Sequence, residues 1–183
     1  MSTKKALILF ALALLLQPGL LNLLQIGGIT PNLLLCLGLF IGFSEPEGIR
    51  PALAGVPFFL VLDILGGPYA GVGALSYFLV IVALAFVVRD LNRDHWLPLL
   101  AVSFGGILLY YVIYWLILAI LGNPTGILRL LWFLAGALPA NLTVLLLFEA
   151  LRRFRRRSSR ERKQGLLRPV RRNKFNATFR YRP

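Results

Sequence analysis

The sequence predicts an all-α polytopic membrane protein with about six transmembrane helices and both termini in the cytoplasm. Three observations carry that prediction. Of the 183 residues, 58% are hydrophobic and only 15% are charged, with a mean hydropathy of +0.76, whereas soluble domains sit near ~45–50% apolar and ~25% charged. The apolar residues fall into runs that approach or exceed the ~20 residues a spanning helix needs. The formal charge of +13 is also unevenly placed: residues 152–183 hold fourteen basic residues and one acid, Glu161, while residues 1–151 hold six of each sign. The chain therefore divides into a neutral apolar body, 1–151, and a basic cytoplasmic tail, 152–183, polar enough to stay disordered unless bound.

The first run, Ala6–Leu24, follows Lys4 and Lys5 as in a signal peptide. More leucines follow Gln17-Pro18-Gly19 where a small-residue cleavage site would stand, so the run reads as an uncleaved helix kinked near Pro18. Pro31–Phe43 and Pro51–Leu65 are short for spans, and the second contains Asp63. Gly71–Val88, Trp96–Leu121 and Ile127–Leu151 are long enough unaided. With the N-terminus inside, Ser2–Lys5, Ser44–Arg50, Arg89–His95 and the tail are cytoplasmic, and Gln25–Thr30, Gly66–Ala70 and Gly122–Gly126 are external. All loop Lys and Arg then lie inside, as the positive-inside rule requires, and Arg129, one turn into the last helix, can snorkel to the outer interface. An odd number of crossings would strand either Lys4 and Lys5 or the basic tail on the wrong side. The external segments are too short to form a domain, so function is expected within the bilayer or at its inner face.

The residue inventory excludes several chemistries. Nucleic-acid binding needs a folded basic surface, and here the foldable part carries no net charge, so no nucleic-acid partner is expected. Cys36 is the only cysteine and His95 the only histidine, which leaves no intrachain disulfide and no Cys/His metal cluster; no cofactor is expected. Asp63 has two readings. It is a polar anchor facing the bundle or a partner, since a carboxylate inside a membrane helix costs at least ~2.5–3.5 kcal/mol, or it is hydrated at the outer helix end, three residues before Gly66-Gly67. Catalysis is not expected, because no second acid, His or Lys is placed to share the work. The run from Gly66 to Gly73 lacks the Lys-Ser/Thr of a phosphate loop and reads as a tight turn between helices.

Gly38 and Gly42 have GxxxG spacing, which admits a closely packed helix, and Gly105-Gly106 and Gly136 are further thin spots. Trp96, Tyr110, Tyr111, Tyr114, Trp115 and Trp132 include candidate membrane-interface anchors. The alternating charges of Arg89–His95 suit a salt-bridged turn or a docking loop. Arg152, Arg153, Arg155, Arg156 and Arg157 anchor the topology and contact anionic lipid headgroups, each worth about 1 kcal/mol near the surface. Phe175, Phe179 and Tyr181 offer a second interfacial contact. Asn141-Leu-Thr143 and Asn176-Ala-Thr178 match the glycosylation pattern, but one lies in a helix and the other inside the cell.

From Gly55 to Leu79 a helix ends in Asp-Ile-Leu-Gly, a glycine-rich turn follows, and Gly-x-Gly-Ala-Leu-Ser-Tyr opens the next helix. This stretch resembles the rod shape-determining protein MreD family, at Asp63, Gly66, Gly71, Gly73, Ala74, Leu75 and Ser76. Pro31-Asn32-Leu33-Leu34 also fits, with Asn32 where the family often has Asp. Phe59 stands where the family often has a small residue. The specific match covers about thirty residues and the general plan about 150, without the tail. The resemblance implies a non-enzymatic subunit of the bacterial inner membrane that binds MreC. Through MreC it would reach the RodA glycosyltransferase, its transpeptidase partner and MreB filaments, and so lateral peptidoglycan synthesis and rod shape. It also implies a helical bundle similar to the S components of energy-coupling-factor transporters. In this reading, glycine-thinned faces of the second or fifth helix admit the single transmembrane helix of MreC.

One alternative is a small-molecule-binding transporter subunit of the S-component type. It needs a cavity with convergent polar groups, and the helices offer few beyond Asn22, Asn32, Asp63, Ser103, Thr143 and Glu149. Another is a membrane enzyme acting on lipids, for which paired acids or a His cluster are missing.

Overall fold

The computed structural model describes residues 2–19, 30–45, 47–66, 69–91, 96–123 and 126–166. Among them every regular element is helical: α1 (Thr3–Gly19), α2 (Leu33–Ser44), α3 (Ile49–Leu53), α4 (Val56–Gly66), α5 (Val72–Val87), α6 (Trp96–Ile120) and α7 (Ile127–Leu166), with a 3-10 turn at Val88–Asp90. Three stretches are long and apolar enough to cross a membrane, Ile49–Gly66, Leu97–Ile120 and Ile127–Phe154, and α2 and α5 are shorter apolar helices. Large apolar side chains also face outward: Leu65 and Phe86 are 74% exposed and Leu128 is 81% exposed. Soluble proteins rarely carry so continuous an apolar exterior; such a surface suits hydrocarbon, in which helices satisfy their own backbone groups.

The run expected as one helix over Pro51–Leu65 is two helices, α3 and α4, with a turn at Ala54 and Gly55. Pro57 supplies the reason. It has no N–H for the Leu53 carbonyl, and its ring presses on that carbonyl. The chain closes the turn with the Gly55 N–H on the Ala52 carbonyl at 2.9 Å and restarts with the Phe59 N–H on the Gly55 carbonyl at 3.1 Å. The Tyr77 hydroxyl of α5 donates to the same Ala52 carbonyl at 2.6 Å. This second bond to a carbonyl already held by Gly55 is worth about 1 kcal/mol, so Tyr77 stabilises the break. Gly55 makes the approach possible, since a Cβ there would sit 2.7 Å from the Tyr77 hydroxyl and 2.8 Å from the Phe10 ring.

Helix α5 packs against α2, α3, α4 and α6. Its buried side runs through Tyr77, Val80, Ile81 and Leu84, the i, i+3, i+4, i+7 spacing of one helical face. Against it lies α2, buried from Leu34 to Leu39. Gly38 lies beneath Tyr77, where a Cβ would collide with the hydroxyl, and Gly42 lies beneath Leu84, whose Cδ2 would be 2.7 Å from a Cβ. The GxxxG face of α2 therefore receives the protein's own α5. Both glycines are buried against the chain's own helix, the internal-packing alternative for this spacing. Gly106 similarly faces Leu39, while Gly105 has nothing within 4 Å.

Helix α6 ends at Gly122, which adopts φ +81°. The Asn123 N–H reaches the Leu118 carbonyl at 3.0 Å and the Gly122 N–H reaches Ala119 at 3.2 Å, the paired bonds of a Schellman cap. Helix α7 runs from its apolar part through Arg152–Arg157 to Leu166. Arg, Lys, Glu and Gln are good helix formers, no Gly or Pro interrupts them before Gly165, and propagation from an existing helix avoids the nucleation penalty. The chain forms two compact units, Met1–Glu149 and Ala150–Pro183. The first holds α1 to α6 and the apolar part of α7.

Candidate functional site

Helix α5 begins without a side-chain cap of its own: Gly71, at φ +93°, precedes it and has no capping group. Its first-turn N–H groups need acceptors, and one comes from the neighbouring helix. Asp63, in the last turn of α4, accepts from the Ala74 N–H through Oδ2 at 3.0 Å. The carboxylate also meets the positive end of the α5 dipole, a contact worth roughly 0.3–1 kcal/mol. Gly73 lets the two helices close, because Asp63 Oδ1 occupies the place where its Cβ would lie. Ser76 is fully buried and satisfies its hydroxyl within α5, donating to the Val72 carbonyl at 2.7 Å. Gly66 has nothing within 4 Å of its Cβ position.

Asp63, Gly73 and Ala74 thus form a clasp between two helix ends. Asp63→Ala is expected to cost about 1 kcal/mol, as cap removal does, and Asp63→Asn less, since an amide oxygen still accepts. Faster hydrogen exchange at the Ala74 amide in the alanine variant checks this; equal exchange in both variants and the parent would refute the clasp.

The same carboxylate lines a cavity of about 960 Å³ where α1, α4 and α6 end and α2 and α7 begin. Its polar wall is built from side chains that hold these ends in place. Asn32 caps α2, accepting from the Leu35 N–H at 3.0 Å, and the Gln17 amide oxygen accepts from the Leu33 N–H at 3.1 Å. Behind them Asn141 of α7 is fully buried. Its Oδ1 accepts from the Asn32 N–H at 2.7 Å and from Cys36 Sγ at 3.2 Å. Its Nδ2 donates to the Ala137 carbonyl at 2.7 Å and to the Tyr111 hydroxyl at 3.3 Å.

The rest of the lining is largely aromatic. Tyr110 and Tyr114 stack with centroids 6.1 Å apart, Tyr110 tilts against Phe59 at 5.9 Å, and Tyr111 meets Phe133 edge-on at 5.2 Å. Trp115 and the exposed Arg129 also line it. One carboxylate, one guanidinium, amides and phenols around an apolar space are groups that hold and orient a ligand.

Of the aromatic residues named as candidate interface anchors, Tyr110, Tyr111, Tyr114 and Trp115 line the cavity. Their spacing, i, i+1, i+4 and i+5, marks one helical face, and four polar-tipped aromatics on a single face were the available signal. Ser103 and Glu149 are buried away from this lining, and Thr143 donates to the Pro139 carbonyl of its own helix at 2.8 Å. Arg153 is exposed, and Arg152 less so. Asn22, Asn92–His95 and the side chains of Trp96, Arg155, Arg156 and Arg157 lie outside the described residues. Comparison with protein-family models, with curated proteins and with solved structures finds no match to this chain.

Proposed function

We propose that this chain is a non-enzymatic, MreD-like subunit of the bacterial cell-elongation machinery that binds the transmembrane helix of MreC. In this reading it crosses the inner membrane about six times with both termini in the cytoplasm. MreC links it to RodA, the transpeptidase and MreB filaments, and its tail arginines rest on anionic lipid. The observation that carries the reading is the clasp: Asp63, Gly73 and Ala74, three of the residues on which the resemblance depends, are in contact across the α4–α5 hairpin.

With Gly38 and Gly42 enclosed by α5, the partner helix has the outer face of α6. There Ala101 and Gly105 are exposed and four residues apart, flanked by exposed Phe104, Leu108 and Val112, the small-residue spacing that favours helix association in lipid. Co-expression with MreC and recovery from detergent tests both parts. The parent protein is expected to retain MreC, and Gly105→Leu to recover at least tenfold less while its own yield and melting are unchanged. Undiminished recovery would remove the α6 face from the proposal, and failure of the parent to retain MreC would remove the elongation reading.

The cavity favours a second reading, a small-molecule-binding transporter subunit. An organic molecule released on denaturing the purified protein and identified by mass spectrometry would favour it over the first.

A further inference from the structure

We infer that the cavity binds a zwitterionic amphiphile, with its ammonium at Asp63, its anionic group at Arg129 and its apolar stem along the aromatic wall of α6. The inference rests on the cavity alone and on neither reading of function. Four observations lead to it. The space, about 960 Å³, is far larger than a bound ion requires and lies within the range of organic-ligand sites, roughly 300–1,000 Å³. Its walls combine polar and apolar surface, so neither a purely hydrocarbon nor a purely ionic occupant matches them.

Among the described residues its lining carries one charged side chain of each sign, Asp63 and Arg129, with no ion pair joining them. A lone cation would meet Arg129, and a lone anion would meet Asp63. Asp63 is half-buried, where opposite charges attract more strongly than in water, and exposed Arg129 offers the second charge, so a ligand bearing both signs gains at each end. Finally, Tyr110, Tyr114 and Trp115 present aromatic surface beside Asp63, and ammonium groups are drawn to the faces of such rings, Trp best of all.

The Asp63 carboxylate is already oriented for this. Its Oδ2 is tied to the Ala74 N–H, and Gly73 keeps the carboxylate from being displaced. Arg129, in the first turn of α7, is exposed, and its side chain makes no hydrogen bond with the described residues, so its guanidinium can take a phosphate or carboxylate in two-point contact. In the topology read from the loop charges, this end of the bundle is external. There the zwitterion has two sources: the headgroup of an ethanolamine phospholipid in the outer leaflet, or a free solute with the same pair of charges.

Isothermal titration of the full chain in maltoside micelles separates these sources with three probes: dihexanoylphosphatidylethanolamine, O-phosphoethanolamine and dihexanoylphosphatidylglycerol. The ethanolamine lipid is expected to bind at least tenfold more tightly than the glycerol lipid. Binding of O-phosphoethanolamine as tight as the lipid's assigns the site to a free solute; much weaker binding assigns it to a headgroup.

Arg129→Gln is expected to weaken the zwitterion at least tenfold with no change in melting of the empty protein. Asp63→Asn, which keeps an acceptor for Ala74, is expected to abolish the preference for ethanolamine over glycerol. The inference is overturned if neither zwitterion binds, if the two lipids bind equally, or if Arg129→Gln leaves affinity unchanged. The arginine variant decides the matter even if the aspartate variant does not fold, and no arm depends on recovery of MreC.

Discussion

Replacing Asn141 by leucine is expected to lower the stability of the bundle by about 2–3 kcal/mol, since buried polar groups left without partners cost ~1–3 kcal/mol. The size of the side chain hardly changes, so the loss comes from orphaned groups and not from a cavity. The Asn32 N–H loses its acceptor at 2.7 Å, the Ala137 carbonyl its extra donor at 2.7 Å, and the Tyr111 hydroxyl its partner at 3.3 Å. Cys36 loses only a weak acceptor for its thiol. Water would replace these bonds on a protein surface, but Asn141 is fully buried.

Two effects reduce the loss. The amide's own desolvation disappears with it, and polar groups of the unfolded chain in a membrane also find partners, which holds measured interhelical hydrogen bonds near ~0.6 kcal/mol on average. The sum of several shared bonds still exceeds both. For a chain of this length the loss corresponds to a melting midpoint about 4–12 °C lower, at roughly 2–4 °C per kcal/mol, measurable by thermal unfolding in detergent. Asn141→Asp is expected to be no better. It keeps an acceptor for Asn32 but sets a carboxylate against the Ala137 carbonyl. A midpoint unchanged in the leucine variant would mean that the network holds nothing together.

Much of the fold is legible in the residues, and the parts that are not share one cause. The apolar runs locate the helices, Asn32 stands where an N-cap is needed, and the glycine-rich turn after Asp63 leads into α5. Each of these is a local property. The break at Pro57 is local too, yet it is hidden inside a run whose average hydropathy reads as continuous. GxxxG spacing reports that something approaches closely without saying what, so at Gly38 and Gly42 internal packing is the better reading but a partner face stays open.

The aromatics of α6 pose the same ambiguity. Whether Tyr110 and Trp115 meet lipid or a cavity depends on the rotation of α6 about its axis, which is set by packing against α5 and α2. The clasp was half visible: Asp63 and Gly73 were identifiable as motif residues, but the acceptor role of one and the space left by the other depend on how the hairpin closes. In the tail, composition and residue type pull apart: the charge density argues against a packed core, while the residue types of 152–166 favour the helix in which α7 holds them.

Gly38→Ala is expected to destabilise the protein by about 2–3 kcal/mol, the upper part of the range for overpacked sites. The sign is the informative part. In a helix with open space around it, exchanging Gly for Ala stabilises by about 1 kcal/mol, and Gly105→Ala, on the open face of α6, is expected to do so. At Gly38 the added Cβ would overlap the Tyr77 hydroxyl and lie 2.6 Å from Cε2 and 2.7 Å from Cζ of the same ring.

Tyr77 has nowhere to go. It is fully buried, stacked on Phe59 with centroids 4.3 Å apart, and bonded to the Ala52 carbonyl at the α3–α4 break. A methyl group on α2 therefore acts on the stability of a turn in another helix. Tyr77→Phe alone is expected to cost about 1 kcal/mol, the worth of one hydrogen bond. The pair is expected to cost less than the sum by about 0.5–1.5 kcal/mol, the coupling of residues in contact, because the phenyl ring no longer carries the atom the methyl strikes. Relief is partial, since Cε2 and Cζ remain. Strict additivity, or a Gly38→Ala variant more stable than the parent, would show that α2 and α5 do not meet at this point. Gly42→Ala offers a graded comparison: its one close approach is to the terminal Cδ2 of Leu84 at 2.7 Å, with Ile49 and Ala52 at ordinary contact distance; a flexible end can turn aside, and the variant should cost less than Gly38→Ala.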